Sequence, residues 1–525
     1  MSAIRSCPRT RLLSFILSLF IVMALVLIVD LMFAQHGASA APTITIKVNT
    51  TADNNAPDNF ISLREAILLV NGGTGGNGSR TGLGRSLSTN EAAQIVGGTI
   101  TTTGVAANII FTDLPGGSTI VLSSGTVSTN ESLPPILTSG IVINGLNGAG
   151  GRIKIDGSGA GVPANSDILW LGWAVTTTNT IPVSDITIQS ISITGAKRYG
   201  LHLNPARSSH ISQCDITQST SYAILIQGKF SAADGNIIED CTVGPNQSLG
   251  IVINRPGAFN NIIRNNRIGT DAAGTAPAPN TGAGMAFFSG ANHNVITGNL
   301  ISGNTLQGIF FYNPNTNNNE VYNNRIGTAA NGTSALPNVQ GIVFGDGASN
   351  NIVGGTGVGQ ANLIAFNTES GVVVANDATI GNKISGNSIF QNGILGIDLL
   401  DDKLPTVGVS GGGLGPNRLA LRPTLTKAQV RGALANVAGT ASPNSTIELF
   451  VAEPNLSGLG SGKTYCTTVT ADGSGAFKFF GTLACAPGAG ALTATSTLPD
   501  GSTSEFGNNL ATTALPSVFL PVMLR

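Results

Sequence analysis

Charge is scarce in this chain. Of 525 residues, 10% are Asp, Glu, Lys or Arg, against roughly 25% in an ordinary soluble domain. Lys plus Arg number 26 and Asp plus Glu 27, a formal net charge of -1. No basic run is present, which argues against nucleic acid and anionic membrane as partners, since clustered cations drive both. Disorder is also disfavoured, because disordered chains are charged and apolar-poor and this one is 41% hydrophobic. Cysteines number 5 and histidines 4 (His36, His202, His210, His293), scattered and without a C-x-x-C or Cys/His cluster, so no structural zinc site is expected. Aromatics are only 5%, while Gly numbers 69. Few charges and aromatics with much Gly predict many short strands joined by tight turns.

Arg5, Arg9 and Arg11 precede an apolar run from Leu12 to Val29, and Ala38-Ser39-Ala40 supplies small residues before a cut. Residues 1–40 are therefore expected to be a signal peptide, with an uncleaved signal anchor as the alternative. No other segment is long enough to span a bilayer, so the remaining chain is expected to be secreted or held at the cell surface. Cys7 leaves with the signal. Cys214, Cys241, Cys466 and Cys485 remain, in a compartment that permits disulfides.

From about residue 185 to 400 one phrase recurs, Gly-apolar-x-apolar. It reads Gly200-Leu-His-Leu203, Ala223-Ile-Leu-Ile226, Gly250-Ile-Val-Ile253, Gly284-Met-Ala-Phe287, Gly308-Ile-Phe-Phe311, Gly341-Ile-Val-Phe344, Gly371-Val-Val-Val374 and Gly396-Ile-Asp-Leu399. An apolar period of 2 excludes helical solenoids. Before each phrase an apolar residue is followed, three later, by Ile191, Cys214, Cys241, Asn266, Asn299, Asn324, Asn367 or Asn387, although Asn351-Ile-Val-Gly354 disturbs the register. Asn tolerates left-handed turns, and its amide can bond the same residue one coil up and down. This is the pattern of a parallel β-helix, adding one rung about every 4.8 Å.

With these phrases the chain resembles secreted right-handed parallel β-helix proteins that carry an N-terminal CSLREA motif. Ile61-Ser-Leu-Arg-Glu-Ala-Ile67 matches that motif with Ile61 in place of its Cys. Asn266-Arg-Ile-Gly-Thr270, Asn324-Arg-Ile-Gly-Thr328 and Gly396-Ile-Asp398 match the coil phrases. Gly415-Pro-Asn417 and Leu498-Pro-Asp-Gly-Ser-Thr-Ser-Glu-Phe506 match the C-terminal part. The resemblance implies a fold and an extracellular setting, with no shared reaction.

The expected fold is all-β: a right-handed single-stranded parallel β-helix of about ten coils with an N-terminal helical cap and a C-terminal β-sandwich. The expected divisions are 41–98 cap, 99–402 β-helix, 403–425 linker, 426–513 immunoglobulin-like sandwich and 514–525 apolar tail. Ser62 to Glu65 reads as a capping box that opens an amphipathic lid over the exposed helix end. Gly72 to Thr89 reads as a mobile loop. A turn at Asp472–Gly475 predicts a hairpin flanked by Cys466 and Cys485, which are expected to form a disulfide. Cys214 and Cys241, stacked on consecutive rungs and pointing the same way, are expected to stay free thiols.

Glycoside chemistry needs paired carboxylates about 5 to 10 Å apart, and no outward column supplies such a pair. The first column reads His202, Leu225, Val252, Ala286, Phe310, Val343, Val373, Asp398; the second reads Ser192, Asp215, Thr242, Arg267, Leu300, Arg325, Thr368, Ser388. Glu239 and Arg264 read as a surface ion pair. The remaining catalytic candidates are His202, Arg207, His210 and Asp215, a set that could abstract a sugar proton alpha to a carboxylate. Asp398, Asp401 and Asp402 are the calcium candidates; no other cofactor is expected. Leu225, Val252, Ala286, Phe310, Val343 and Val373 make an apolar outward stripe flanked by Phe288 and Tyr312, to be covered by the loops 269–283 and 327–340 or by a ligand, either a glycan or a protein, with Phe288, Phe310 and Tyr312 as the ligand-binding candidates. The leading functional expectation is a non-catalytic adhesion, spacer or carbohydrate/protein-binding role. The alternative is a polysaccharide lyase, glycosidase or uronate epimerase.

Overall fold

The computed structural model describes residues 42–76, 80–125, 131–148, 150–174, 177–406, 408–453, 459–485, 487–488 and 490–516. The expected signal peptide and residues 517–525 of the apolar tail lie outside these. No helix among the described residues is long and apolar enough to cross a membrane.

Strands too short to fold alone stack in parallel into three long sheets, so the chain is a right-handed parallel β-helix. The first sheet has twelve strands, the second ten and the third nine. One coil shows the plan: Ile262–Arg264 belongs to the first sheet, Arg267–Ile268 to the second and Met285–Phe288 to the third. Alternate side chains point inward and stack on their own kind. Ile211, Ile238, Ile263 and Ile296 line the first sheet. Phe287, Phe311 and Phe344 stack at 4.7 and 4.8 Å inside the third. All seven are fully buried, and β-branched and aromatic residues fit this pleated interior.

Three asparagine ladders run along the turns. The first follows Asn236, Asn261, Asn294, Asn319, Asn351 and Asn382; the second Asn266, Asn299, Asn324, Asn362 and Asn387; the third Asn246, Asn280, Asn304, Asn338, Asn367 and Asn392. At Asn299, Oδ1 accepts from both the backbone N and the Nδ2 of Asn266, and Nδ2 donates to Ile263 O and to Asn324 Oδ1. The register expected near Asn367 is corrected. Asn362 fills the second ladder, Asn367 belongs to the third, and Leu363 replaces Thr368 in the outward column. The cause is the long excursion 355–362 between the first-sheet strand Ile352–Gly354 and the second-sheet strand Leu363–Ala365. At the N-terminal end of the second ladder, Cys241 N donates to Asn266 Oδ1 and Cys214 N reaches Cys241 Sγ at 3.4 Å. Sulfur stands where the amide oxygen would be, and both thiols are free and buried.

The N-terminal end is closed by a helix, Leu63–Gly72, opened by the expected capping box: Ser62 Oγ accepts from Glu65 N and Glu65 Oε2 accepts from Ser62 N. Leu63, Ala66, Ile67 and Val70 are buried, and so are Leu68 and Leu69. Arg64 forks onto Asp53 at 2.8 and 2.9 Å, a structural role. The described part of 72–89 is tied down rather than loose: Leu83 is buried, and Arg85 bridges Glu65 and Glu91 at 2.6 and 2.7 Å.

The C-terminal end is closed by the following domain. Residues 403–425, expected as a linker, carry Asn417, whose Oδ1 accepts from Asn382 N and extends the first ladder. Thr503 Oγ1 accepts from Ile384 N, Glu448 accepts from Ser385 Oγ and Gly386 N, and Glu505 accepts from Leu399 N and Thr406 N. Phe450 and Phe506 join the core of the β-helix. The domain has two four-stranded sheets, and the expected hairpin is corrected: Gly462–Thr470 pairs with Thr446–Ala452 in one, whereas Ala476–Thr482 pairs with Leu434–Thr440 in the other. Asp472 Oδ1, accepting from Ser474 N and Ala476 N, turns the chain between sheets. The Cys466–Cys485 disulfide is formed.

Candidate functional site

The outward column of the third sheet runs Trp170, His202, Leu225, Val252, Ala286, Phe310, Val343, Val373, Asp398, one residue per coil. The stripe is covered, as expected, but by side chains of the neighbouring coils. Leu225, Val252 and Ala286 are at most 1% exposed, packed beneath Tyr199, Tyr222 and Leu249 as well as Phe288 and Phe310. The loops expected to cover it go elsewhere. Gly274 lies against Leu300 and Ala330, and Gly332 against Leu363, so these loops lean on the outward column of the second sheet. The exposed part of the face is aromatic. Phe310 meets Phe288 edge-on at 5.9 Å and Tyr312 at 5.1 Å. Phe288 and Phe310 are half-buried and Tyr312 is exposed.

At the N-terminal end of this face the structure builds a cluster. Asp167 Oδ2 lies 2.8 Å from His202 Nδ1, and Arg198 forks onto the same carboxylate at 2.6 Å through both contacts. The fork fixes the carboxylate, which orients the imidazole by accepting a hydrogen bond from Nδ1–H. Trp170 stacks on His202 at 4.6 Å and Tyr199 on Tyr222 at 5.1 Å, while Trp173 meets Trp170 tilted by 39° at 4.5 Å. Burial pushes the His202 imidazole below its ordinary pKa, against the pull of Asp167, so Nε2 is a neutral ring's lone pair. Burial likewise pushes the Tyr199 phenol up to about 12. Among the described residues His202 Nε2, Trp173 Nε1, Asn204 Oδ1 and Asn254 Oδ1 have no hydrogen-bond partner although each atom is buried.

The four residues expected as one catalytic set are not brought together. His202 belongs to the third sheet, His210 to the first, Asp215 to the second, and Arg207 to a separate two-stranded ribbon. Arg207 pairs with Asp234 at 2.6 Å, and Asp215 with Arg152 at 2.6 Å. His210 and Arg264 share Glu239 at 2.6 and 2.5 Å, which includes the expected Glu239–Arg264 pair. Sequence spacing within one coil concealed that the backbone turns between them.

The calcium candidates also engage separately. Asp398 is buried and accepts from Ser370 Oγ, Asp401 from Gln340, and Asp402 caps Leu404 N. Burial, chiefly, pushes the Asp398 carboxyl up to about 6. Among the described residues no three His, Cys, Asp or Glu side chains converge where they could hold a metal ion.

Asp167, Trp170, Arg198, Tyr199 and Tyr222 went unread in the sequence. A usable signal existed: both tryptophans, Trp170 and Trp173, lie in Leu169–Ala174, just before the first regular repeat.

A family model described as "Periplasmic copper-binding protein (NosD)" matches residues 172–335. No curated protein matches. Among solved structures, a mutant of a periplasmic alginate epimerase is 15% identical, with 57% of this chain and 72% of that one covered at a TM-score of 0.35. The mannuronan C-5 epimerase A-module of Azotobacter vinelandii is 17% identical, with 56% and 76% covered at 0.34. A tailspike protein from an Escherichia coli O157:H7 bacteriophage is 13% identical, with 78% and 65% covered at 0.29. The chain is similar to these proteins in being a parallel β-helix, and the likeness is one of fold alone.

Proposed function

We propose that this is an exported protein of the CSLREA-motif β-helix kind that binds a polysaccharide strand along the outer face of its third sheet without chemically altering it. The observation that carries this reading is the aromatic run on that face, with Phe288 and Phe310 half-buried and Tyr312 exposed. Sugar rings offer the surface such a face accepts, an apolar C–H face for the half-buried Phe310 and the exposed Tyr312.

The test is retention of the purified mature chain on a panel of neutral and acidic glycans. Retention that falls at least tenfold in Phe310→Ala and Tyr312→Ala supports the reading; absence of retention on every glycan removes it. A second reading, a carbohydrate-active enzyme, is favoured by one observation, the Asp167–His202 pair with a free Nε2 lone pair suited to general base work. Release of reducing ends or unsaturated uronates, or a change in uronate stereochemistry, abolished by His202→Ala, would replace binding with catalysis.

A further inference from the structure

A concavity lies on another side of the coil. A trench of about 500 Å³ crosses the turn after the second sheet, lined by Ser158, Lys197, Thr220, Gln247 and Thr281 on successive coils. The third ladder dictates this row. Ser219, Asn246 and Asn280 turn inward and are buried, so the residue after each, Thr220, Gln247 or Thr281, must leave the wall outward. Four rungs separate Ser158 from Thr281, about 19 Å at the standard strand spacing, the reach of a short extended oligomer.

The chemistry of the lining is specific. Lys197 is the one charged side chain in it. Its ammonium reaches the Ser158 carbonyl oxygen at 3.3 Å, and no carboxylate pairs with it among the described residues. Asp156, at the rim, directs Oδ1 to Ser158 N at 2.9 Å. Gln218 accepts from Thr194 through Oε1, which leaves its NH2 to donate. Thr220 Oγ1 donates to Lys197 O, which leaves its lone pairs to accept. One cation is too few for nucleic acid, whose binding needs many phosphate contacts. An ammonium followed by a row of hydroxyl and amide groups matches a chain of hydroxylated rings bearing a carboxylate.

We propose that this trench is a second binding site, for a short run of acidic polysaccharide, with Lys197 taking a uronate carboxylate and Thr220, Gln247 and Thr281 taking hydroxyls. It goes beyond the aromatic face, since it selects charge and uses other residues. The test is calorimetric titration of the full mature chain with tri- to pentamers of galacturonate, mannuronate and guluronate, and with cello-oligosaccharides of equal length. At least one uronate series should bind, more weakly as salt rises. Lys197→Ala should weaken it tenfold or more and Lys197→Arg less than threefold, while Phe310→Ala with Tyr312→Ala leaves it within twofold. Absence of uronate binding, or binding indifferent to Lys197→Ala, overturns the trench site. Loss of uronate binding in the Phe310/Tyr312 variant with Lys197→Ala silent also overturns it, while leaving the aromatic-face reading intact.

Discussion

Buried polar side chains occur in two settings on the same coils, and they are treated differently. Along the turns, each interior ladder amide is bonded above, below and to backbone, as Asn299 is to Asn266, Asn324 and Ile263. On the outer face of the third sheet, His202 Nε2, Asn204 Oδ1 and Asn254 Oδ1 are buried and lack partners among the described residues. The ladder satisfies its polar groups by repetition: identical residues 4.8 Å apart are each other's ideal partners. The face breaks repetition, passing from Trp170 and His202 through aliphatic residues to Phe310. A polar group satisfied by its own copies needs nothing further, whereas these atoms are left without a partner inside the coil.

The largest effect is expected in the ladder. Asn299→Leu strands the Asn266 backbone N and takes a donor from Ile263 O, while Asn266 Nδ2 keeps only Ile238 O and Asn324 Oδ1 keeps only the Asn299 backbone N. At roughly 1–3 kcal/mol for each buried unsatisfied group, the loss is at least about 2 kcal/mol, seen as a lower urea midpoint. An unchanged midpoint would show that the ladder is not the staple described here.

The junction with the C-terminal domain sharpens the comparison with a group that is satisfied yet strongly desolvated. Glu505 accepts from Leu399 N and Thr406 N, while burial pushes its carboxyl up to about 7. Between pH 4.5 and 7 the folded state keeps a proton that the unfolded state releases, so stability is fully present below the unfolded value and falls as pH rises through 7. The drop from pH 5 to pH 8 is at most roughly 3 kcal/mol. Asp398 acts in the same direction and His202, whose pKa is lowered, in the opposite one. The difference between the native chain and Glu505→Gln isolates the carboxyl, and equal pH dependence in the two would contradict its assignment.

The smallest stability effect is expected on the outer face. Asn254→Leu removes an acceptor that has no partner, and should cost less than about 1 kcal/mol while weakening glycan retention at least threefold. A loss as large as that of Asn299→Leu would erase the distinction between ladder and face.

Much of this was legible in the sequence, and the failures have common causes. The repeat Gly-apolar-x-apolar identified the third sheet because its period of 2 survives every insertion. One asparagine ladder of three was read, since aligning on Ile-x-x-Asn follows a single turn, and it slipped where Ile364-x-x-Asn367 mimicked the phrase one sheet later. The capping box at Ser62 and the Cys466–Cys485 bond were readable because both are local. The Asp167–His202 pair spans 35 residues, and nothing in a linear pattern joins an acid to a histidine one coil above it. The aromatic cover over Leu225 and Val252 was hidden for the same reason: Tyr199 and Tyr222 sit just before the repeat phrase.

The most direct measurement of the central claim uses tryptophan fluorescence, because the two tryptophans, Trp170 and Trp173, both stand at the His202 end of the proposed binding face. Titration with an oligosaccharide that the protein retains should give a saturable change in emission that is lost in Phe310→Ala and Tyr312→Ala, which lie four rungs away. Full retention of the glycan by the native chain with no change in emission, or a change that persists in both variants, would contradict the account.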